Sequence, residues 1–533
     1  MSPTESFDII IIGTGAGGGT IARRLAPSGL RILILERGGF LPRERENWDT
    51  KAVHADKRYL TKETWYDRDD QAFSPYTHYW VGGNTKVYGA ALLRLRPSDF
   101  GEVRHYGGVS PAWPIGYDEL ERYYSEAEWM YCVHGERHRD PHDPPASRDY
   151  PFGPIEHEPR IAELACDLRD LGLRPFPMPI GVRLPNRPRE QAPLRLSHFD
   201  GYPDVTESKA DSHVIGVEAA LAHPNVSILT GALAQRLVVD SSGRRVVGVE
   251  VLRDGRIQTY HGGTIVVACG AVNSAALFLR SACDGHPNGL ANSSGMVGRN
   301  YMCHNNSLFV AVTGEPNPSR FQKTFGLTDF YRGVPDSSLP LGTIQLMGKP
   351  DPDTIRWLQG DRLPGLSAED ILAHSIDFFL TAEDLPDAEN RVTLRADGSI
   401  RLCYRENNLE ALRRLEHRLM ITLDSVDRVR GRRAATYLTA KLGVSGVSHQ
   451  CGTLRFGIDP RTSVLDTDCK AHDLDNLYVV DSSCFPSSGA VNPSLTIMAN
   501  ALRVGDHLLG RLGAGAAVKA TGGVARSFVE ARA

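Results

Sequence analysis

The feature that most constrains this chain is the run Gly13-Thr14-Gly15-Ala16-Gly17-Gly18, set between two short apolar segments. Residues 7–12 (FDIIII) are rich in β-branched side chains, as expected of a strand buried on both faces of a parallel sheet. Residues 19–25 (GTIARRL) read as a helix, and residues 31–35 (RILIL) as a second buried strand. Strand, glycine turn, helix and strand make a βαβ unit, and its glycines satisfy G-x-G-x-x-G. In that pattern Gly13 permits the tight turn, Gly15 lets a phosphate approach the backbone, and Gly18 allows helix and strand to pack closely. Free N–H groups at the helix start favour an anion there. Glu36 follows Gly18 by 18 residues and ends the second strand, where a carboxylate can accept from both ribose hydroxyls. Dinucleotide binding follows. The acidic residue disfavours a 2′-phosphate, and NAD and FAD both stay open.

Farther along, residues 117–130 have helical periodicity, and the Pro-rich, charged stretch 136–193 reads as irregular connection with short helices. A helix over 212–222 precedes a strand at 226–229. Residues 237–240 are expected to pair with 246–252, and 264–268 (TIVVA) form another buried strand. Residues 300–445 alternate strand-like and loop-like segments, with a hairpin of 391–394 and 400–404 across Asp397-Gly398. Residues 477–480 (LYVV) are the last buried strand, a helix spans 494–509, and 511–533 form a flexible tail. Three buried strands of one type thus lie near positions 10, 266 and 478. If they share one sheet, the nucleotide domain is discontinuous and the intervening segments build something else.

With 533 residues, a formal charge of −4 and a pI near 6.5, the chain has no basic face for nucleic acid. No run of 18 apolar residues marks a membrane span, and residues 1–8 lack the basic and apolar regions of a secretory signal. The nine cysteines include no CxxC pair and no zinc-ligand spacing, so no metal is expected. Reduced, mostly buried thiols point to a cytoplasmic protein.

The C-terminal block narrows the cofactor. Residues 448–457 (SHQCGTLRFG), 463–466 (SVLD), 476–481 (NLYVVD) and 489–497 (GAVNPSLTI) closely resemble the signature of the glucose–methanol–choline (GMC) flavin oxidoreductases. In that family H-x-x-G-T-x-R-x-G leads to N-L-x-V-x-D and then N-P-x-x-T. Residues 82–89 (GGNTKVYG), 266–274 (VVACGAVNS) and 389–394 (ENRVTL) resemble further family landmarks in the same order. The resemblance runs from about residue 7 to 509, while 136–204 and 310–380 match nothing specific.

It implies an α/β, Rossmann-like FAD domain from 1–105, 205–300 and 445–510, and an α+β substrate domain on an antiparallel sheet from 106–204 and 301–444. It also implies oxidation of an alcohol by hydride transfer to flavin N5. His449 takes the position of the general base, which suits an imidazole whose ordinary pKa of about 6.5 lies near working pH. Asn492 takes the partner position, fixing the substrate oxygen beside the flavin. Gly83, Asn84 and Thr85 form a loop against the isoalloxazine, and Asp481, Asn492 and Pro493 are expected at the cofactor. Gly452 and Thr453 are read as structural. Some members carry a covalently attached histidine where this chain has Val87, so its FAD is expected to be non-covalent. His78 reads as a surface or packing histidine, Cys451 and Cys484 as buried, inert thiols.

Other nucleotide enzymes that open with this fingerprint fit less well. Flavin monooxygenases and disulfide reductases need a second glycine motif or a redox CxxC, neither of which is present. The C-terminal block argues against an NAD-dependent dehydrogenase. A catalytically silent flavin protein is opposed by the joint presence of His449 and Asn492. Residues 89–100 and the N-P-S-L-T ending resemble the sugar-oxidising branches, which implies a sugar, glycoside or aminosugar substrate, including aminoglycoside precursors; a non-sugar alcohol is the alternative. Dioxygen or another acceptor would reoxidise the flavin. Glu383, Asp384 and Asp387 read as a solvated acidic loop, with attraction of an ammonium group as the sharper alternative. Oligomeric state is not legible.

Overall fold

The computed structural model describes residues 6–184, 198–360 and 362–515. Most of the expected tail, and the end of the Pro-rich stretch, lie outside the described residues.

The three buried strands do share a sheet. Ser6–Ile12 pairs in parallel with Ile32–Leu35 on one edge and with Arg256–Val267 on the other. Val226–Leu229 adds in parallel outside Ile32–Leu35. The 12-residue strand Arg256–Val267 serves two neighbourhoods along its length. Its first half pairs antiparallel with Val246–Arg253, and its end pairs in parallel with Leu477–Val479. Val246–Arg253 in turn pairs with Leu233–Val239, so the expected pairing of 237–240 with 246–252 is present. The parallel core strands are almost wholly buried, Ile9, Ile10, Ile11, Ile32 and Leu33 each at 0% exposure, which accounts for their unbroken apolar sequence.

The helix of the βαβ unit, Ala16–Leu25, starts earlier than expected and takes in three glycines. Glycine inside a helix costs about 1 kcal/mol relative to alanine, so close approach must require it. A Cβ on Gly17 would stand 2.0 Å from the Val480 carbonyl oxygen, one on Gly18 2.0 Å from that of Gly13, and one on Gly19 2.1 Å from Ser212 Oγ. Ser494–Arg511 packs against this helix.

A second, six-stranded sheet is antiparallel throughout. Its order is Thr436–Lys441, Asn305–Val312, Ser375–Ala382, Thr343–Leu346, Phe325–Leu327 and Phe176–Pro177. Helix Leu409–Arg430 covers one face, with Leu412, Leu415, Leu419, Leu423 and Val426 in the apolar cluster that includes Phe309 and Phe378. Reading 300–445 as strands and loops alone misses this 22-residue helix. Its signal was the three-and-four spacing of those five residues, diluted by the charges between them. The expected hairpin is present as Arg391–Leu394 with Ile400–Cys403, and it extends onto Trp65–Tyr66 and Ala72–Phe73. The helix expected over 212–222 is a π-helical turn, His213–Val217, followed by Glu218–Leu221. Among the described residues no helix is long and apolar enough to cross a membrane.

Candidate active site

A long cavity opens at the C-terminal ends of the parallel strands, lined by Gly13, Gly15, Glu36, Asn84, Asp481 and His449. Gly18 lies behind it, holding the helix against Gly13. Gly13 has φ +98°, and a Cβ there would be 2.3 Å from the Ala268 carbonyl oxygen. Gly15 differs. A Cβ there meets nothing within 4 Å, so the missing side chain leaves open space on the cavity wall rather than relieving a clash. That is the room a pyrophosphate needs against the backbone, and the residues present fit FAD.

Glu36 is 5% exposed at the far end. Its Oε2 accepts from Thr14 N at 3.1 Å and Thr14 Oγ1 at 2.5 Å, and its Oε1 from Gly38 N at 2.8 Å. Burial nonetheless raises its pKa above the usual carboxylate value. Oε2 is filled by its two donors, and Oε1 keeps acceptor capacity for a ribose hydroxyl.

Asp481 lines the cavity, but both its oxygens serve the protein. Oδ2 accepts from Gly270 N (2.9 Å) and Ser274 Oγ (2.5 Å), and Oδ1 from Ser483 N (2.9 Å) and Ser483 Oγ (2.5 Å). It joins two strand ends to one another. Thr85 does a similar job, donating to Gly82 O at 2.6 Å and accepting from Ser212 N at 2.9 Å. Gly83 and Asn84 lie on the same short turn, Gly83–Lys86, and Asn84 Oδ1 accepts from His78 N at 2.8 Å. His78 is not on the surface. It is buried against the cavity wall, and burial lowers its pKa to about 4. Val87 is buried. Pro493 leads into helix Ser494–Arg511, whose first turn faces the cavity.

His449 sits where this cavity meets a second one, lined also by Tyr76, Tyr88, Tyr202, Lys323 and Gln345. Its orientation follows from backbone register. Met302 and Cys451 form an antiparallel bridge (Met302 N to Cys451 O 3.0 Å, Cys451 N to Met302 O 2.8 Å), which sets His304 opposite His449. Their rings meet at Nδ1 to Nδ1, 3.0 Å apart, and His304 Nε2 lies 3.2 Å from the Ser488 carbonyl oxygen. A carbonyl only accepts, so His304 Nε2 carries the proton that it donates to Ser488. In the tautomer with its proton on Nε2, His304 Nδ1 is bare, and His449 Nδ1 donates to it. His449 Nε2 keeps its lone pair. It faces Asn492 Nδ2 at 3.5 Å, while Asn492 Oδ1 accepts from Gln345 Nε2 at 3.1 Å. Burial is the leading cause that pushes the His449 pKa well below 6.5, and the nearby positive charge of Lys323 adds to it.

His304 adopts φ +65°, an uncommon conformation for a residue with a Cβ. Asp384 holds it there. Its two oxygens accept from Cys303 N and His304 N at 2.9 Å each, and Oδ2 also from Tyr404 at 3.0 Å. The reading of 383–387 as a solvated acidic loop is therefore wrong for two of its three carboxylates. Glu383 and Asp384 are buried, Glu383 accepting from Ser110 Oγ at 2.6 Å and Gly489 N at 3.1 Å, and only Asp387 is exposed. Both serve the loops that carry the site. Cys451 is fully enclosed and burial drives its pKa far up; Cys484, beside Cys469, is raised as well. All nine cysteines are free. Gly452 (φ +93°) and Thr453 tie the His449 segment down, Thr453 Oγ1 donating to Ala271 O at 2.6 Å.

Sequence reasoning missed His304, Gln345 and the placement of Asp384. His304 and Asp384 are single residues in stretches without a quoted motif, and Gln345 lies in the segment 310–380 that matched nothing.

The chain matches the GMC oxidoreductase family over residues 8–306 and again over 386–501. It is 33% identical to the 6'''-hydroxyparomomycin C oxidase of Streptomyces lividus, with 95% of this chain and 92% of that protein covered. It is 29% identical to the paromamine 6'-oxidase of Streptomyces fradiae over the same shares. Among solved structures, pyridoxine 4-oxidase from Mesorbium loti superposes with a TM-score of 0.65 at 20% identity, covering 94% of this chain and 99% of that one. With its nucleotide cavity on a parallel sheet and an antiparallel sheet beside it, the chain belongs to the GMC oxidoreductases, FAD-dependent enzymes that oxidise alcohols.

Proposed function

We propose that this chain oxidises a hydroxyl group of an aminosugar or related glycoside, with His449 as the base and Asn492 orienting the carbinol oxygen. The observation that carries the reading is the Nδ1-to-Nδ1 contact of His449 with His304, which directs His449 Nε2 to the meeting of the two cavities as the acceptor. An alcohol there donates its proton to His449 Nε2 and accepts a hydrogen bond from Asn492 Nδ2. Proton loss drives electron density toward the carbinol carbon, and the C–O bond closes to a carbonyl as the hydride departs. Bound FAD supplies the acceptor for that hydride. Asn492, held by Gln345, limits rotation of the substrate about the C–O bond, which is how orientation lowers a barrier.

Support for the substrate class comes from two sides. The second cavity is walled by Tyr76, Tyr88 and Tyr202, flat faces suited to a sugar ring. The two curated relatives with the highest identity quoted above are named as oxidases of paromamine and a hydroxyparomomycin. The segments 1–105, 205–300 and 445–510 are our assignment for the FAD domain, with 106–204 and 301–444 for the substrate. The test is anaerobic bleaching of the bound flavin by a panel of aminosugars, neutral glycosides, choline and benzylic alcohols, followed by admission of air. Aminosugars and glycosides should bleach fastest. An His449→Ala enzyme that bleaches as fast as the parent removes the base assignment.

A further inference from the structure

We propose that Gln345 reads the substrate: its Oε1 accepts a hydrogen bond from a second hydroxyl or an amino group on the alcohol, while its Nε2 holds Asn492. The inference rests on the roles given above to His449 and Asn492.

Gln345 lies on Thr343–Leu346, a strand buried at every position, in register with Phe379 of the neighbouring strand. It is 1% exposed. Its Nε2 donates to Asn492 Oδ1 at 3.1 Å. Its Oε1 is buried and has no hydrogen-bond partner among the described residues. A buried acceptor without a donor is costly, and the cost is removed when a ligand brings one. Gln345 lines the second cavity, together with His449 and Asn492, so the donor can come from the molecule being oxidised.

The charged groups around that cavity are already committed. Lys323 Nζ donates to Asp200 Oδ1 at 2.8 Å, and Asp200 Oδ2 accepts from Gly348 N at 2.7 Å. Asp351 caps a helix through Asp353 N and Thr354 N, both at 3.0 Å. Lys349 donates to the carbonyl oxygens of Leu372 and Ser375. Asn306 Oδ1 accepts from Thr381 Oγ1 at 3.1 Å. Among these groups the Gln345 amide oxygen is the one left without a partner. One amide separates it from the reacting centre, so the donor it takes belongs a few bonds from the oxidised carbon. A vicinal diol, a ring hydroxyl or an amino group meets that description, and a hydroxyl-poor alcohol does not. A site that hydrogen-bonds a particular group rejects the analogue lacking it far more strongly than an apolar pocket rejects a change of size.

The experiment compares flavin reduction in the parent holoenzyme, Gln345→Leu and Gln345→Glu. The probes are a methyl hexoside, its amino counterpart, and deoxy counterparts each lacking one ring hydroxyl. The parent should disfavour at least one of the modified hexosides by about tenfold or more, and Gln345→Leu should erase that preference. Gln345→Glu keeps an acceptor but loses the donor to Asn492. It should retain the preference, shift it toward the amino compound, and lower the limiting rate. The inference is overturned if every hexoside keeps the same ranking in all three proteins, or if hydroxyl-poor alcohols reduce the parent as fast as the hexosides do. Either result leaves alcohol oxidation standing. If no alcohol bleaches the flavin, the proposed function fails instead. Bound-flavin absorbance reports whether each variant is folded, and Gln345→Glu carries the test if Gln345→Leu is not.

Discussion

His304 and His449 face one another Nδ1 to Nδ1 at 3.0 Å, and the direction of that hydrogen bond is set by the Ser488 carbonyl behind His304. The consequence is chemical. Without a partner for Nδ1, His449 would divide between two tautomers, and in one of them Nε2 carries a proton and cannot act as a base. Replacing His304 by Leu should lower the limiting rate of flavin reduction by about tenfold or more, a part of the 10²–10⁴ expected of a positioned base. His304→Asn, whose side-chain oxygen can accept from Nδ1–H, should recover part of it. Stopped-flow reduction with one substrate separates the two variants, and equal rates in all three proteins would remove the positioning role.

Asp384 supports the same ring through the backbone. Asp384→Ala leaves the N–H groups of Cys303 and His304 without acceptors and releases the φ +65° residue. A loss of about 1–3 kcal/mol per unmet buried group is the expected scale. Chemical denaturation of the holoenzyme measures it, and the rate of flavin reduction should fall in parallel.

The pH dependence follows from burial. His449 is pushed well below 6.5, and His78 and His213 to about 4, burial being the leading cause in each. A histidine with a depressed folded pKa is neutral in the native state while its unfolded counterpart takes up a proton below about 6.5. Stability from these groups is therefore complete above that pH and is lost as pH falls toward the folded values. The acid limb of kcat/KM should lie well below 6.5, and the melting temperature should begin to drop as pH passes below 6.5. An acid limb at 6.5 itself would contradict the buried, neutral base.

Two glycines of the fingerprint should behave differently. Gly18→Ala drives a Cβ to 2.0 Å from the Gly13 carbonyl oxygen, and backbone must move. A destabilisation of about 1–3 kcal/mol is expected from such overpacking, together with loss of flavin. Gly15→Ala meets open space, so the flavin-free protein should melt unchanged while its affinity for FAD falls. Melting curves with and without added FAD distinguish the two.

At Val87, buried and without a nucleophile, no bond to the flavin can form. Acid precipitation should release the yellow cofactor into the supernatant. Colour that stays in the pellet refutes non-covalent binding.

Much of this molecule is legible in its sequence. Unbroken β-branched runs at 9–12 and 264–267 can only be satisfied by burial on both faces, and the Gly13–Gly18 spacing has a steric meaning that holds wherever a helix must touch a strand. Those are local demands, so they are written locally. His449 and Asn492 could be singled out because each sits in a long ordered motif. What no stretch of sequence carries is the register of the Met302–Cys451 bridge, which turns His304 into the partner of His449, or the fold of Asp384 onto that bend. The same holds for Gln345, whose strand gains its place beside Asn492 only when the antiparallel sheet closes against the nucleotide cavity. The sequence by itself determined the buried parallel strands and, through its ordered motifs, the cofactor. The tertiary structure decided which nitrogen of His449 meets His304, because that contact joins segments over a hundred residues apart.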